Sequence, residues 1–320
     1  MTKTYNNGDN SLVLLSAVLV SMICGIFFSA KTIALEPLLL VWLAILLFLN
    51  LIKLEITDLK SAFAKPKRII VLSTLKLAII PLCSYQATHL IYPQESLSVL
   101  LLSGISTGLG APFVVNLVGG KLQTVVAMIT TTSLAVPLVL PLLVYLFFRM
   151  QFSIPFPNMI LILSAGLLVP LASGWATKRY LPRAAKLIER RSFPISVVAI
   201  ILINLGLFAK FSNYFFEDAP FVAGTIALAF ALFGIYGLLG YAIDVIFLSD
   251  DKCLESEKKR NRLSAFISMS YVNNILVAVF AQQFFGSHIA ALAAFYNIPY
   301  YIGIPILVRW VGGDLRPTRK

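Results

Sequence analysis

Ser103-Gly104-Ile105-Ser106-Thr107-Gly108-Leu109-Gly110-Ala111-Pro112 lies in the middle of an apolar run, residues 96–119, that is otherwise suited to cross a membrane. Glycines, hydroxyls and a proline stand where lipid calls for an unbroken helix. Pro112 has no N–H and clashes with the preceding turn, and glycine loosens the backbone. An unpaired backbone group costs several kcal/mol in hydrocarbon, so such a break persists only inside protein or beside water. A broken helix at mid-membrane is the best sequence pointer to a transporter's binding site.

The rest of the chain supplies the membrane. Of its 320 residues 59% are apolar and only 12% charged, and mean hydropathy is +0.88. Soluble domains carry about 25% charged residues. The net charge of +12 does not imply nucleic acid, because the basic residues fall in short segments between apolar runs, where they orient a membrane protein. Cys24, Cys83 and Cys253 show neither pairing nor metal-ligand spacing and read as small packing residues. The first run, 11–30, is too long for a signal-peptide core and reads as a retained span.

Runs of about 20 apolar residues can each cross the bilayer. Ten are present: 11–30, 34–53, 68–91, 96–119, 121–148, 157–178, 192–211, 220–248, 262–285 and 287–311. With both termini cytoplasmic, the inner segments hold 22 of the 26 lysines and arginines. Among them are Lys65, Lys67 and Arg68, the group Lys178 to Arg191, Lys258 to Arg262, and Arg309 to Lys320. The outer segments keep only Lys31, Arg149 and Lys210, and Lys76 remains inside a span. This bias predicts a multi-pass protein of the inner (plasma) membrane.

The two halves follow one pattern. Span four ends at Gly119-Gly120 and span nine at Phe285-Gly286; span five carries Pro137 and Pro141, span ten Pro299 and Pro305. Span nine is polar at its centre, with Ser268, Ser270, Asn273 and Asn274. Five spans per half is odd, so the second half is expected upside down, as in secondary transporters, with the site where the broken helices meet. The predicted fold is an all-α polytopic membrane protein, ten transmembrane helices in two inverted five-helix repeats.

Three groups of residues carry a resemblance to the bile acid/sodium symporter family. The first is Phe48-Leu49-Asn50-Leu51-Ile52-Lys53-Leu54-Glu55-Ile56-Thr57-Asp58-Leu59, then Lys65-Pro66-Lys67-Arg68, then Leu77-Ala78-Ile79-Ile80-Pro81. The second is the small-residue span four leading to Pro137-Leu138-Val139-Leu140-Pro141. The third is Asn273-Asn274 followed by Tyr296-Asn297. The resemblance implies a panel of spans one, two, six and seven (residues 1–67 and 149–219). It also implies a core of spans three to five and eight to ten (68–148 and 220–320), with spans four and nine crossing at unwound centres.

Lys76 lies about nine residues into span three, roughly 13 Å deep at 1.5 Å per residue. An ionisable residue at such depth is a functional candidate. In the resembled family the position before Leu-Ala-Ile-Ile-Pro is a glutamine that helps hold sodium; here it is Lys76. An ammonium there takes the place and charge of a bound cation, and it can also load and release a proton. The other positions the resemblance assigns to the ion are Ala111, Pro112, Thr130, Ser133, Met269 and Ser270. Met269 stands for the family's glutamate and Ala111-Pro112 for a serine–asparagine pair. A hard cation wants several oxygen ligands, so coupling through Lys76, to protons or to nothing, is expected in place of sodium. Sodium symport with relocated ligands is the alternative.

The substrate is expected between the broken helices and the panel, where half-helix N-termini suit carboxylates. Its candidate contacts are Ser106, Thr107, Asn116, Asn273, Asn274 and Asn297. Asp244 reads as an interfacial acid paired to Lys76 or to a loop lysine, and His89 and His288 as interfacial. Gly104-Ile105-Ser106-Thr107-Gly108 also fits G-x-S-x-G, but that hydrolase motif needs a strand–turn–helix and a base. An intramembrane serine hydrolase using Ser106 is therefore the remote alternative, and a binding subunit without flux another. No cofactor or metal is expected. The expected partners are a small organic anion and the lipid bilayer, with the chain working as a monomer.

Overall fold

The computed structural model describes residues 7–52, 66–108, 110–149, 155–249 and 253–311. The Lys53 to Lys65 portion of the family motif, Leu109 in the break and the basic C-terminal segment from Gly312 lie outside these residues.

The described chain is helical. α1 (Asn7–Phe27) and α2 (Ser29–Thr32) lead through a 3₁₀ segment, Ile33–Leu38, into α3 (Leu39–Leu51). α4 (Pro66–Thr74) passes through a π-helical turn, Leu75–Ile79, into α5 (Ile80–Ile91). α6 (Ser96–Ser103) and α7 (Ala111–Leu117) are two short helices on either side of the glycine-rich stretch. α8 (Leu122–Phe148), α9 (Phe156–Tyr180), α10 (Pro182–Lys210) and the short α11 (Ser212–Glu217) follow. α12 (Ala219–Phe247) precedes a second interrupted pair, α13 (Glu255–Ser270) and α14 (Asn274–Phe285). α15 (Ser287–Phe295) and α16 (Asn297–Val311) end the described chain.

Seven helical stretches are long and apolar enough to cross a bilayer, among the described residues. Predicted spans one, four and nine are not among them. Span one is α1, within which Ser16–Phe27 forms a shorter apolar helix. Spans four and nine are cut at their centres, between Ser103 and Ala111 and between Ser270 and Asn274. The outward surface is itself apolar: Leu138, Leu161, Val169 and Ile246 are each more than 60% exposed. Patches of that kind are avoided in water and suit lipid. The protein is a multi-pass all-α membrane protein.

Local chemistry sets the helix ends. Pro157 and Pro182 sit in the first turns of α9 and α10, where a missing N–H costs nothing. Pro182 starts α10 ten residues ahead of the predicted span, so Arg183, Lys186, Arg190 and Arg191 form a basic helical extension. Asp218 caps α12 by accepting from the Phe221 N–H at 3.0 Å, the usual service of an N-cap carboxylate. Pro81 follows the π turn at Leu75–Ile79. A proline removes one helical hydrogen bond, and a widened turn is one way for the backbone to accommodate that loss.

Two sets of helices pack closely. α10 lies along α1 and α3, and α3 along α9. Elsewhere α12 packs on α13 and α15, α5 on α6, α6 on α15, and α8 on α13. The end of α7 is held by α13: Arg260 Nε donates to Gly119 O at 2.9 Å, and the Lys121 N–H donates to Ser264 Oγ at 2.6 Å. A cationic side chain on the last carbonyls of a helix is favourable.

Candidate functional site

The two breaks meet. Thr107 and Val272 form an isolated antiparallel bridge, in which the Gly108 N–H donates to Tyr271 O at 2.6 Å and the Asn273 N–H to Ser106 O at 3.0 Å. These bonds satisfy backbone groups that lipid would leave unpaired. Gly108 is required here: a Cβ would lie 2.5 Å from Val272 O.

The C-terminus of α13 shows how fully the junction is bonded. The last carbonyls of a helix have no partner within it. Here four in a row find donors from other elements. Ser268 O accepts from Thr107 Oγ1 at 2.8 Å, Met269 O from Lys76 Nζ at 3.1 Å, Ser270 O from the Tyr296 hydroxyl at 2.8 Å, and Tyr271 O from Gly108. The Thr107 N–H is bound by Thr132 Oγ1 at 3.1 Å, which ties α8 to the same point.

Lys76 is 1% exposed and comes from the π turn. The turn delivers its ammonium to the negative end of α13, where a cation is favourable. This is also the kind of place, an unwound half-helix C-terminus, where transporters coordinate a coupling cation. Lys76 Nζ already occupies the Met269 carbonyl at that end. Asp244 is not the partner of Lys76: it forms an ion pair with Arg68, whose Nη2 also donates to Leu248 O at 3.0 Å.

Beside the junction lies a cavity of about 110 Å³. Its floor is Gly108, Gly110 and Val272 to Ile275, and its other walls come from α3, from Phe113 and Val114 of α7, and from α10 and α16. The wall residues repeat at helical spacing: Leu43, Leu46 and Leu47; Phe193, Ser196, Val197 and Ile200; Asn297, Tyr300, Tyr301 and Ile304. Among the described residues no charged side chain lines it. The polar groups are the three asparagines Asn273, Asn274 and Asn297, with Ser196, Tyr300 and Tyr301. Asn274 Nδ2 donates to Asn297 Oδ1 at 2.8 Å and to Ala293 O at 3.0 Å, and Asn297 Nδ2 to Asn204 Oδ1 of α10 at 3.3 Å. Asn273 Nδ2 and Ser196 Oγ are buried without a hydrogen-bond partner among the described residues.

The sequence-predicted residues therefore separate. Asn273, Asn274 and Asn297 line the cavity. Ser106 and Thr107 are wholly buried in the junction behind it, and Asn116 is exposed away from it. Of the predicted ion positions, Met269 gives its carbonyl to Lys76, and Ala111 and Pro112 begin α7. The hydroxyls of Thr130 and Ser270 donate to their own helices, to Val126 O and Phe266 O, and Ser133 is buried in α8. Sequence reasoning missed Ser196, Tyr300 and Tyr301; the i, i+3, i+4, i+7 spacing of both wall stripes was the available signal. Ser106 Oγ has no hydrogen-bond partner and sits between helices, so the hydrolase motif lacks both its base and its strand. His89 stacks on Tyr85 and His288 on Phe221.

No curated protein matches the chain significantly. The model of the Sodium Bile acid symporter family matches residues 40–218, a stretch that includes Lys76, the span-four break and the α3 and α10 walls of the cavity. That match covers more than half of the sequence, and the chain belongs to the sodium bile acid symporter family of secondary transporters.

Proposed function

We propose that the protein carries a small organic anion across the membrane by alternating access, with the paired breaks as the moving part of the site. The observation that carries this is the cavity between the break of α13–α14 and the wall of α3 and α10. The N-terminus of α14 opens on it beside Asn273 and Asn274, and positive helix ends attract carboxylates. Asparagine amides and tyrosine hydroxyls add donors without adding charge. At about 110 Å³ the cavity is below the roughly 300 Å³ at which pockets for drug-sized ligands begin, which favours a small carboxylate over a sterol acid.

The packing supports a ten-span, inverted-repeat arrangement in which α1–α3, α9 and α10 form the panel and α4–α8 with α12–α16 the core. Spans four and nine then cross at the Thr107–Val272 bridge, and Asn204–Asn297 is a contact across the boundary. Both termini are taken as cytoplasmic from the positive-inside bias. Most of the wall residues of α3, α10 and α16, all but Leu43 and Asn297, then lie in the inner halves of their spans, so the cavity faces the cytoplasm in this conformation.

Lys76 acts as a built-in cation at the end of α13, and coupling is to protons or absent. The family match favours the other reading, sodium symport, whose ligands must then lie away from Met269 O. A thermal-shift screen of the purified protein against organic acids, with sodium and pH varied, finds the substrate; uptake of that substrate into proteoliposomes then decides. Stimulation by a pH gradient without sodium supports coupling through Lys76. An absolute need for a sodium gradient, insensitive to pH, overturns it and leaves sodium symport. Binding without uptake overturns transport.

A further inference from the structure

At the end of the bundle away from Arg68 and Arg260 lies a second cavity, of about 480 Å³, which shares no lining residue with the first. Three chain connections build it: Tyr92 to Glu95 ahead of α6, Asp218 to Phe221 at the start of α12, and His288 in the first turn of α15. Among the described residues no lysine or arginine lines it, although the chain carries +12 overall.

Its central feature is Glu95. The side chain is 3% exposed, and Oε1 is 3.9 Å from His288 Nδ1, too far for a hydrogen bond. Oε2 is buried and has no hydrogen-bond partner among the described residues. A carboxylate buried in this way is costly unless a donor or a cation completes it. Asp218 adds a second carboxylate, one oxygen of which caps α12. Phe221, stacked with the His288 ring at 4.5 Å between centroids, adds an aromatic face that attracts cations, and Thr225 a hydroxyl.

We infer that this cavity is a binding site for a small organic ammonium ion, held through its N–H donors by Glu95 and Asp218 with its carbon part against Phe221. A bare metal ion fits less well. Among the described residues no three histidine, cysteine or acidic side chains lie close enough to hold one, and the space far exceeds what an ion fills. The inference is independent of the transported substrate, since it uses none of the residues of the first cavity.

The test is a titration of the full-length purified protein at pH 7 with butylammonium chloride, read as a melting-temperature shift against sodium chloride at equal ionic strength. The wild type is expected to show a saturable rise that sodium chloride does not give. Glu95→Gln, nearly isosteric, is expected to weaken it at least ~10-fold, about 1.4 kcal/mol. Gly224→Leu is the second variant: Gly224 lines the cavity and a Cβ there meets nothing within 4 Å, so the new side chain occupies open space and weakens binding to a similar degree. If Glu95→Gln does not fold, Gly224→Leu decides alone. A rise no larger than that with sodium chloride overturns the proposal, as does a saturable rise that neither variant changes.

Discussion

At the scale of single residues, Lys76 and the Arg68–Asp244 pair make opposite predictions about charge. Among the described residues Lys76 Nζ donates to Met269 O, at the end of α13. Lys76→Gln keeps a donor and removes the charge. Uptake by the variant is expected to lose the wild type's response to a pH gradient and to gain stimulation by sodium, measured in proteoliposomes with each gradient imposed alone. Asp244 is almost wholly buried against Arg68, and breaking such a pair strands a buried charge. Asp244→Ala is expected to cost about 3–5 kcal/mol, seen as a lower unfolding midpoint in detergent. The apolar double replacement Arg68→Met with Asp244→Leu is expected to recover most of it, because it strands nothing.

At the scale of elements, the junction of the two breaks is held by backbone and so tolerates little. Gly108→Ala places a methyl group against Val272 O and is expected to cost about 2–4 kcal/mol, in the range of overpacked or strained sites. Gly234→Ala, inside α12 where a Cβ meets nothing within 4 Å, is the control and is expected to leave the melting temperature unchanged or slightly raised, since alanine favours a helix over glycine. The breaks themselves were legible, because glycine and proline in an apolar run have few other meanings in a membrane. The depth of Lys76 was legible too, since a buried charge stands out in such composition. Its target was not: Met269 O is a backbone atom, and any residue type could supply it. The same reason hid the roles of Thr107 and Tyr296, which bind carbonyls, and left Ser106 and Thr107 looking like substrate contacts when they face the junction. Tyr300 and Tyr301 were hidden differently, as aromatic residues in a membrane helix that read as packing. The second cavity escaped because Glu95, Asp218 and His288 come from three connections that only the tertiary fold brings together.

At the scale of the whole molecule, the end opposite the first cavity's wall is closed by aromatic rings. Phe295 of α15 meets Phe208 of α10, Phe211 between α10 and α11, and Phe215 of α11 at centroid separations of 6.3, 5.9 and 5.2 Å, and Lys210 pairs with Glu36 beside them at 2.9 Å. In the proposed cycle these contacts part when the site opens outward. A Phe215→Cys/Phe295→Cys pair, placed in a chain whose three native cysteines are replaced, is expected to stop uptake when cross-linked and to recover it on reduction, while substrate still stabilises the cross-linked protein. Ligand-independent loss of stability on cross-linking would instead mark a distorted fold. The bridge between the breaks also bears on how the protein is made. Its partners are distant in sequence, Thr107 and Ser268 being 161 residues apart. The first broken helix therefore leaves the ribosome long before the carbonyls and amides that complete it exist. Until the second half arrives, its exposed peptide groups need another shelter, from water, from a neighbouring span or from the insertion machinery. Synthesis thus has a late commitment point, and a fault in the last third of the chain is felt at a helix inserted in the first.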